Sequence, residues 1–180
     1  MLLPHLLVLS LAATPGPTSV QSDQTSVMAT VGGTFRGFGE DPSVNLALRQ
    51  ELGAQGVFGL VEVGRAVTSL GTFTLERTAV HFGLGAPLLH AGVFTAVAAV
   101  LLGMSVEAQS APGVTYDVHP AADLGLGLFG EFSLSRHWAL VVRIAPRAVL
   151  PARAQTLDAN HAFRESVFQL ESSAGVLVKF

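Results

Sequence analysis

The sequence has no cysteine, few charged residues, and only one tryptophan and one tyrosine. Without cysteine the chain forms neither disulfides nor thiolate metal sites. Asp, Glu, Lys and Arg make up 13% of the 180 residues, against about 25% in typical soluble domains. Because the net charge is −3 and no cluster of cations is visible, nucleic acid is not a predicted partner.

Apolar residues and glycine are abundant instead. Hydrophobic residues make up 49% of the chain, glycine occurs 19 times, and the mean hydropathy is +0.51. This composition requires an apolar environment for much of the surface, yet charges recur along the chain too regularly for a protein built of several membrane helices. Frequent glycine also argues against a helical bundle and is typical of bent or closely packed strands.

The amino-terminal segment has the features of an export signal. Residues 2–13 form an apolar run of the right length for secretion and too short to cross a bilayer, although no Lys or Arg precedes it. We therefore predict a signal peptide over residues 1–13 and a flexible lead-in over residues 14–25, which is rich in Pro, Ser and Thr. The alternative is a buried first helix of a soluble domain, which Pro15 and Pro17 disfavour.

The segment 166–180 alternates between two kinds of side chain. Apolar residues such as Val176 and Phe180 share one parity, and polar residues such as Glu171 share the other, with Leu177 as the exception. A period of two predicts a strand with one apolar and one polar face.

Similar alternation recurs in seven earlier segments, the first beginning at Ser26, which predicts eight strands joined as consecutive hairpins. The fourth strand is predicted to end at Pro87, and the fifth to lie within 88–107 with small residues facing inward. Long loops are predicted at 108–120 and 150–163, both at one end of the sheet. Short connections are predicted near residues 55, 87 and 136.

The stretch 86–106 has a second interpretation. It lies between Arg77 and Glu107, which have no charged residue between them, and it is long enough for a transmembrane helix. Pro87, Gly92 and the many β-branched residues favour a strand.

A set of strands with one apolar and one charged face can span a membrane only as a closed barrel, because in hydrocarbon every backbone N–H and C=O must be paired. Eight strands enclose a space that side chains fill, so no open pore is expected. The strand number, the long loops at one end and the final Phe180 resemble the small bacterial outer-membrane β-barrels of the OmpA and OmpX kind, over residues 26–180. The resemblance implies an all-β fold, an eight-stranded antiparallel up-and-down transmembrane β-barrel, with both termini in the periplasm.

The resemblance also implies partners. Outer-membrane lipid would surround the barrel, and the barrel-assembly machinery would recognise the closing strand. An assembly signal is expected at Ser173, Gly175, Val178 and Phe180. A partner at the external loops is expected but not identified.

The polar parity places charges of both signs inside the predicted barrel. The expected charge network of the lumen comprises Arg36, Arg49, Glu51, Glu62, Arg77, His81, Glu131, Arg143 and Glu171, with Lys179 on the same face. Because an unpaired buried carboxylate is strongly destabilising, we expect these charges to be paired. The alternative is a path for protons or ions.

No catalytic or cofactor motif is recognisable. One group of lipid A deacylases, which resembles this chain in size and final Phe, uses a Ser two residues after a His. No Ser stands at that offset after His81, His90, His119, His137 or His161. The sequence GLGLFG at residues 125–130 lies inside an alternating strand, which does not fit a dinucleotide fingerprint.

We therefore predict a non-enzymatic outer-membrane barrel without cofactor or metal, with a charge-filled lumen and a structural or loop-presenting role. Two alternatives remain open. One is a soluble lipocalin-like barrel that binds an apolar ligand, and the other is a lipid-modifying enzyme of the outer membrane.

Overall fold

The structure is a computed structural model that describes residues 24–36, 40–53, 55–70, 73–111, 114–151, 154–158, 161–164 and 166–180. Its strands are β1 (Thr25–Phe35), β2 (Glu40–Glu51), β3 (Phe58–Leu70), β4 (Phe73–Ala91), β5 (Phe94–Ala111), β6 (Val114–Ser133), β7 (Trp138–Leu150), β8 (Ala154–Asp158), β9 (His161–Arg164) and β10 (Phe168–Lys179). Strands β1 to β7 and β10 form one closed antiparallel barrel, and β8 pairs only with β9. The predicted eight-stranded up-and-down barrel is confirmed.

The barrel closes between its first and last strands. Thr25 pairs with Gln50, and the register followed through all eight strands returns to Phe35 on β1, ten residues further along. Such a stagger tilts the strands relative to the barrel axis, by about 35–45° in barrels of this kind. Every strand therefore has two paired neighbours over most of its length, which leaves few backbone groups open inside a membrane.

The two faces of the sheet carry opposite chemistry. The outward side chains Leu46, Phe82 and Val142 are 58%, 61% and 50% exposed, whereas the inward Glu62 and Arg143 are buried. Because successive residues of a strand point to opposite faces, one parity supplies an apolar exterior and the other a polar interior. The apolar parity faces outward, as the sequence predicts.

The two ends of the barrel differ. We call the end that holds the connections 52–57, 92–93 and 134–137, together with the start of β1 and the end of β10, the turn end. The opposite end, which holds the connection from β5 to β6 and the β8–β9 hairpin, is the loop end. The predicted signal peptide and most of the predicted lead-in fall on residues 1–23, outside the described residues, and both remain predictions.

The prediction that β4 ends at Pro87 is wrong. β4 continues to Ala91, and the turn follows at Gly92, which has a φ of 61°. The register shifts between Pro87 and Leu89. Proline has no N–H to donate, and the bulge interrupts the hydrogen-bond ladder where that donor is missing. Only glycine readily adopts the left-handed conformation of the turn.

The predicted long loops are also partly wrong. Most of the segment 108–120 belongs to β5 and β6, which remain paired as far as Ala111 and Val114. The segment 150–163 contains β8 and the start of β9. The difference between the two ends thus comes from strands that extend past their neighbours.

The helical alternative for 86–106 is wrong, because these residues lie in β4, β5 and the turn between them. Within the part of the chain that the structure describes, no helix has the length and apolar character to cross a bilayer.

Candidate functional site in the barrel interior

Buried apolar side chains fill the interior towards the turn end. This layer comprises Met28, Ala47, Phe58, Leu60, Val97, Ala99, Leu101, Phe129, Ala139, Val141 and Leu177. β5 contributes Val97 and a fully buried Leu101 beside Ala99, so its inward face carries larger apolar residues as well as the predicted small ones. Leu177 shares the polar parity of β10 but packs into this layer, which explains the single break in its alternation.

One ion pair lies beside the apolar layer. Arg49 Nη1 is 2.5 Å from Glu131 Oε1, and the Arg49 guanidinium lies 3.8 Å from the centre of the Phe58 ring. The aromatic face and the carboxylate both stabilise the cation. Glu51 and Lys179 are half-exposed at the rim of the turn end, and among the described residues no ion pair joins either to this site.

Two carboxylates and two guanidinium groups meet at the centre of the barrel. Arg143 Nη1 is 2.7 Å from Glu62 Oε2 and 3.2 Å from Glu171 Oε1. Arg147 Nη2 is 2.6 Å from Glu171 Oε2 and 3.1 Å from Glu62 Oε1. Each cation therefore contacts both anions, and Asn45 donates a further hydrogen bond of 2.8 Å to Glu171.

His81 joins these four residues to a second ion pair. Its Nδ1 lies 3.3 Å from Glu62 Oε1, and its Nε2 lies 3.1 Å from Asp123 Oδ2. Arg77 donates from Nη2 to both oxygens of Asp123, at 2.7 and 2.8 Å, and from Nη1 to Gln169. We call the set Glu62, Arg77, His81, Asp123, Arg143, Arg147 and Glu171 the central network.

The charges of the central network balance. Three carboxylates face three guanidinium groups, and all six side chains are 7% exposed or less. A buried charge without a partner costs several kcal/mol, about 3–5 when one member of a pair is removed. Mutual pairing therefore allows these residues to be buried together.

A separate ion pair group lies closer to the loop end. Arg36 Nε is 2.6 Å from Asp41 Oδ2, and Arg36 Nη1 is 3.0 Å from Glu107 Oε2. Arg36 and Asp41 are each only 1% exposed. The buried charges thus extend from the middle of the barrel towards the loop end.

Two small cavities lie among the described interior side chains. A cavity of about 20 Å³ lies between Asn45, Arg77 and Glu171, and one of about 10 Å³ lies between Met28 and Arg49. Such cavities have room on the order of one water molecule each. Within the described residues no group of three His, Cys, Asp or Glu side chains is arranged to hold a metal.

The structure brings most of the predicted lumen residues into contact with partners. Of these, Glu62, Arg77, His81, Arg143 and Glu171 meet in the central network. Arg36 lies in the group near the loop end, and Arg49 and Glu131 pair with each other near the turn end, while Glu51 stays apart.

Four interior charges are absent from the predicted network. Asp123 and Arg147 lie on the inward parity of predicted strands, so alternation alone is a sufficient signal for both. Asp41 and Glu107 lie near strand ends: the sequence around Asp41, with Pro42 beside it, has the local features of a turn, and the fifth strand is predicted to stop at Glu107. To place these two residues in the interior, the register with the neighbouring strand must be known.

Comparison with known proteins identifies the fold. No family model and no curated protein matches the sequence. Among solved structures, 87% of this chain matches 96% of Neisserial surface protein A (NspA), with a TM-score of 0.65 and 12% identity. A major outer membrane protein from Thermus thermophilus gives a TM-score of 0.57 at 15% identity, covering 89% of this chain and 100% of that one. Ail, the attachment invasion locus protein of Yersinia pestis, gives 0.54 at 11% identity with the same coverage.

The chain has the fold of the small outer-membrane β-barrels.

The barrel carries an apolar belt on the outer face of its strands, which is the surface that meets lipid in outer-membrane barrels of this fold. The recognition of a small eight-stranded outer-membrane barrel from the sequence is confirmed. Aromatic residues lie at the turn end of the belt on one side, where the tilted rings of Phe94 and Phe132 have centres 5.0 Å apart and Trp138 is 51% exposed.

The residues of the predicted assembly signal lie along the seam of the outer-membrane barrel. Ser173 points inward and is buried, Val178 is half-buried on the outer face, and Phe180 follows β10 with 73% exposure. A Cβ on Gly175 would overlap the carbonyl oxygen of Ala29 on β1, so the two closing strands approach too closely for a side chain here. Recognition of these residues by the assembly machinery remains a proposal.

Proposed function

We propose that the chain is a non-enzymatic outer-membrane barrel, closed by paired internal charges, that acts as a rigid scaffold for structures at the loop end. The observation that carries the proposal is the central network, in which each carboxylate lies against at least one guanidinium group. A barrel filled in this way has no continuous aqueous path, and its shape is fixed from inside. The protein then stabilises the envelope and presents its loop end to the outside.

The β5–β6 hairpin is the element that the scaffold presents. β6 has 20 residues, about twice the number that a tilted strand needs to cross a bilayer. Its last pair with β7 joins Ala122 to Leu150, so residues 114–121 pair with β5 alone. Among the described residues, no strand pairs with the other edge of this part of β6.

An open strand edge binds extended peptides by strand addition, through its unpaired N–H and C=O groups. We propose that this edge of the hairpin contacts an extended segment of an external protein. Pro120 lies within the open edge and limits pairing there, because it has no N–H to donate. Ail, one of the proteins with the same fold, is named for attachment and invasion, which fits a role of this kind.

The structure does not favour the two alternative functions. A lipocalin-like barrel needs apolar side chains inside and charges outside, whereas Leu46 and Val142 point outward and Arg143 points inward. A lipid-modifying enzyme of the deacylase kind pairs a histidine with a Ser two residues later, and no Ser follows His81, His90, His119, His137 or His161 at that offset. His81, which has carboxylate neighbours, is 1% exposed inside the barrel.

The test of a closed barrel is its conductance. Purified protein that migrates in a heat-modifiable way on gels is inserted into planar bilayers, beside an open porin as the positive control. We expect no steady ion current, because the central network and the apolar layer fill the cross-section. A stable conductance from folded wild-type protein would contradict the proposal and would favour the ion path.

A further inference from the structure

The turn between β6 and β7 carries an arginine that its neighbour holds in place. Arg136 Nε donates a hydrogen bond of 2.8 Å to His137 Nε2. His137 Nδ1 lies 3.1 Å from the carbonyl oxygen of Lys179, which can only accept, so the ring proton is on Nδ1 and Nε2 is the acceptor. The backbone fixes the ring as well, because Lys179 N donates to His137 O at 2.8 Å.

This arrangement leaves the outer part of the guanidinium group available. With Nε engaged, the two Nη groups of Arg136 still offer a planar fork of donors, a geometry that matches two oxygens of a phosphate. Arg136 is exposed, and among the described residues no carboxylate forms an ion pair with it. By contrast, the exposed Arg65 is paired with Glu76 at 2.8 Å.

The surroundings of Arg136 are those of a membrane interface. Trp138 follows two residues later and is 51% exposed, and Phe180 is 73% exposed at the end of the neighbouring strand. Aromatic side chains of barrels lie at the level of the lipid headgroups, at the edge of the apolar belt. Lys179, half-exposed at the rim, adds a second cation at this level.

We propose that Arg136, oriented by His137, binds the phosphate of an anionic phospholipid in the leaflet at the turn end. That leaflet is the periplasmic one in outer-membrane barrels, whose short turns face the periplasm. The guanidinium fork takes the phosphate oxygens, and the acyl chains lie against Trp138 and Phe180. A free phosphate would contact only the guanidinium group, whereas a phospholipid would contact both the guanidinium group and the apolar side chains.

The single tryptophan of the chain provides a local reporter. The protein is reconstituted in phosphatidylcholine bilayers that contain increasing amounts of either brominated phosphatidylglycerol or brominated phosphatidylcholine. Quenching of Trp138 fluorescence then gives the relative affinity of the two lipids at this position. We expect a preference of about fivefold for phosphatidylglycerol, the value that corresponds to about 1 kcal/mol for one cation near an anionic lipid surface. High salt should reduce it.

Variants separate the binding residue from the positioning residue. Arg136→Gln should abolish the preference, and Arg136→Lys should retain part of it, because a lysine keeps the charge without the fork. His137→Phe should weaken the preference, whereas His137→Gln, which keeps an acceptor and a donor, should restore it. Arg65→Gln at the loop end is the matched control and should leave the preference unchanged.

Each variant must migrate as a folded barrel, which is expected because Arg136 and His137 lie in an exposed turn. Equal quenching by the two lipids in the wild-type protein would overturn the proposal. So would a preference that survives Arg136→Gln, since the lipid would then be recognised elsewhere on the barrel.

Discussion

At the scale of single residues, the cost of burying charge decides where the chain is most sensitive. Glu62 lies between Arg143 and Arg147 with no exposed surface, and Arg143 also contacts Glu171. Removing one of these guanidinium groups leaves two carboxylates with one arginine in a medium of low dielectric constant. The loss of stability on substitution therefore depends on the whole network and not on any single ion pair.

We predict that Arg143→Met destabilises the barrel by about 3–5 kcal/mol, because it leaves the buried carboxylates of Glu62 and Glu171 to share the single guanidinium group of Arg147. The free energy of unfolding is measured by urea titration in lipid vesicles, with Trp138 fluorescence as the signal. Arg65→Met is the matched control. It breaks the pair with Glu76, whose members are 56% and 44% exposed, and should cost about 1 kcal/mol or less.

The double variant Arg143→Met, Glu62→Met should recover much of the loss, because apolar side chains of similar volume often replace a buried ion pair without penalty. Equal losses for Arg143→Met and Arg65→Met would mean that the central network does not hold the interior together.

At the scale of elements, the period of two predicts that strands exist and which face of each is apolar. It does not predict where they end. Pro87 and the stretch 108–120 have the local features of turns, yet β4 continues past Pro87, and β5 and β6 cover 108–111 and 114–120, because the neighbouring strand stays in register. Tertiary pairing overrides local preference at such places.

The same limit explains which parts of the interior could be predicted. Inward charges in the middle of strands, such as Glu62 and Arg143, follow from alternation. Asp41 and Glu107 do not, because their strands extend beyond the predicted bounds. Sequence also cannot indicate which charge meets which, since β4 contacts β6 and β10 across the lumen only in the closed barrel.

The extended hairpin should be separable from the barrel. We predict that replacing residues 110–116 by Asn-Gly, which makes a tight turn between the paired Gln109 and Asp117, leaves a folded barrel. These residues lie beyond the last pair of β6 with β7, so the heat-modifiable migration should remain and the free energy of unfolding should change by about 1 kcal/mol or less.

The shortened protein should bind more weakly to any external partner that adds a strand to β6, measured on whole cells, because only residues 117–121 of the edge remain. A failure of the shortened chain to fold would mean that the hairpin is part of the barrel's core and not a presented element.

At the scale of the whole molecule, closure depends on the seam between β1 and β10. We predict that Gly175→Val prevents formation of the compact, heat-modifiable species, because any side chain would overlap the backbone of Ala29 on β1. Ala174→Val is the matched control. Ala174 is exposed on the outer face of the same strand, so a larger apolar side chain meets only lipid and the barrel should form. Equal folding of the two variants would show that the closing strands have more space than their register implies.

The molecule as a whole also has a direction in the membrane. The exposed Gln55 lies in a connection at the turn end, and the exposed Ser69 lies near the end of β3 at the loop end. Short turns of outer-membrane barrels face the periplasm and the opposite end faces the outside. Because the chain has no cysteine, a single introduced one is labelled without background. We predict that a membrane-impermeant maleimide labels Ser69→Cys on intact cells and labels Gln55→Cys only after the outer membrane is opened. The opposite labelling pattern would mean that the barrel has the reverse orientation in the membrane, with the phospholipid site at Arg136 in the outer leaflet.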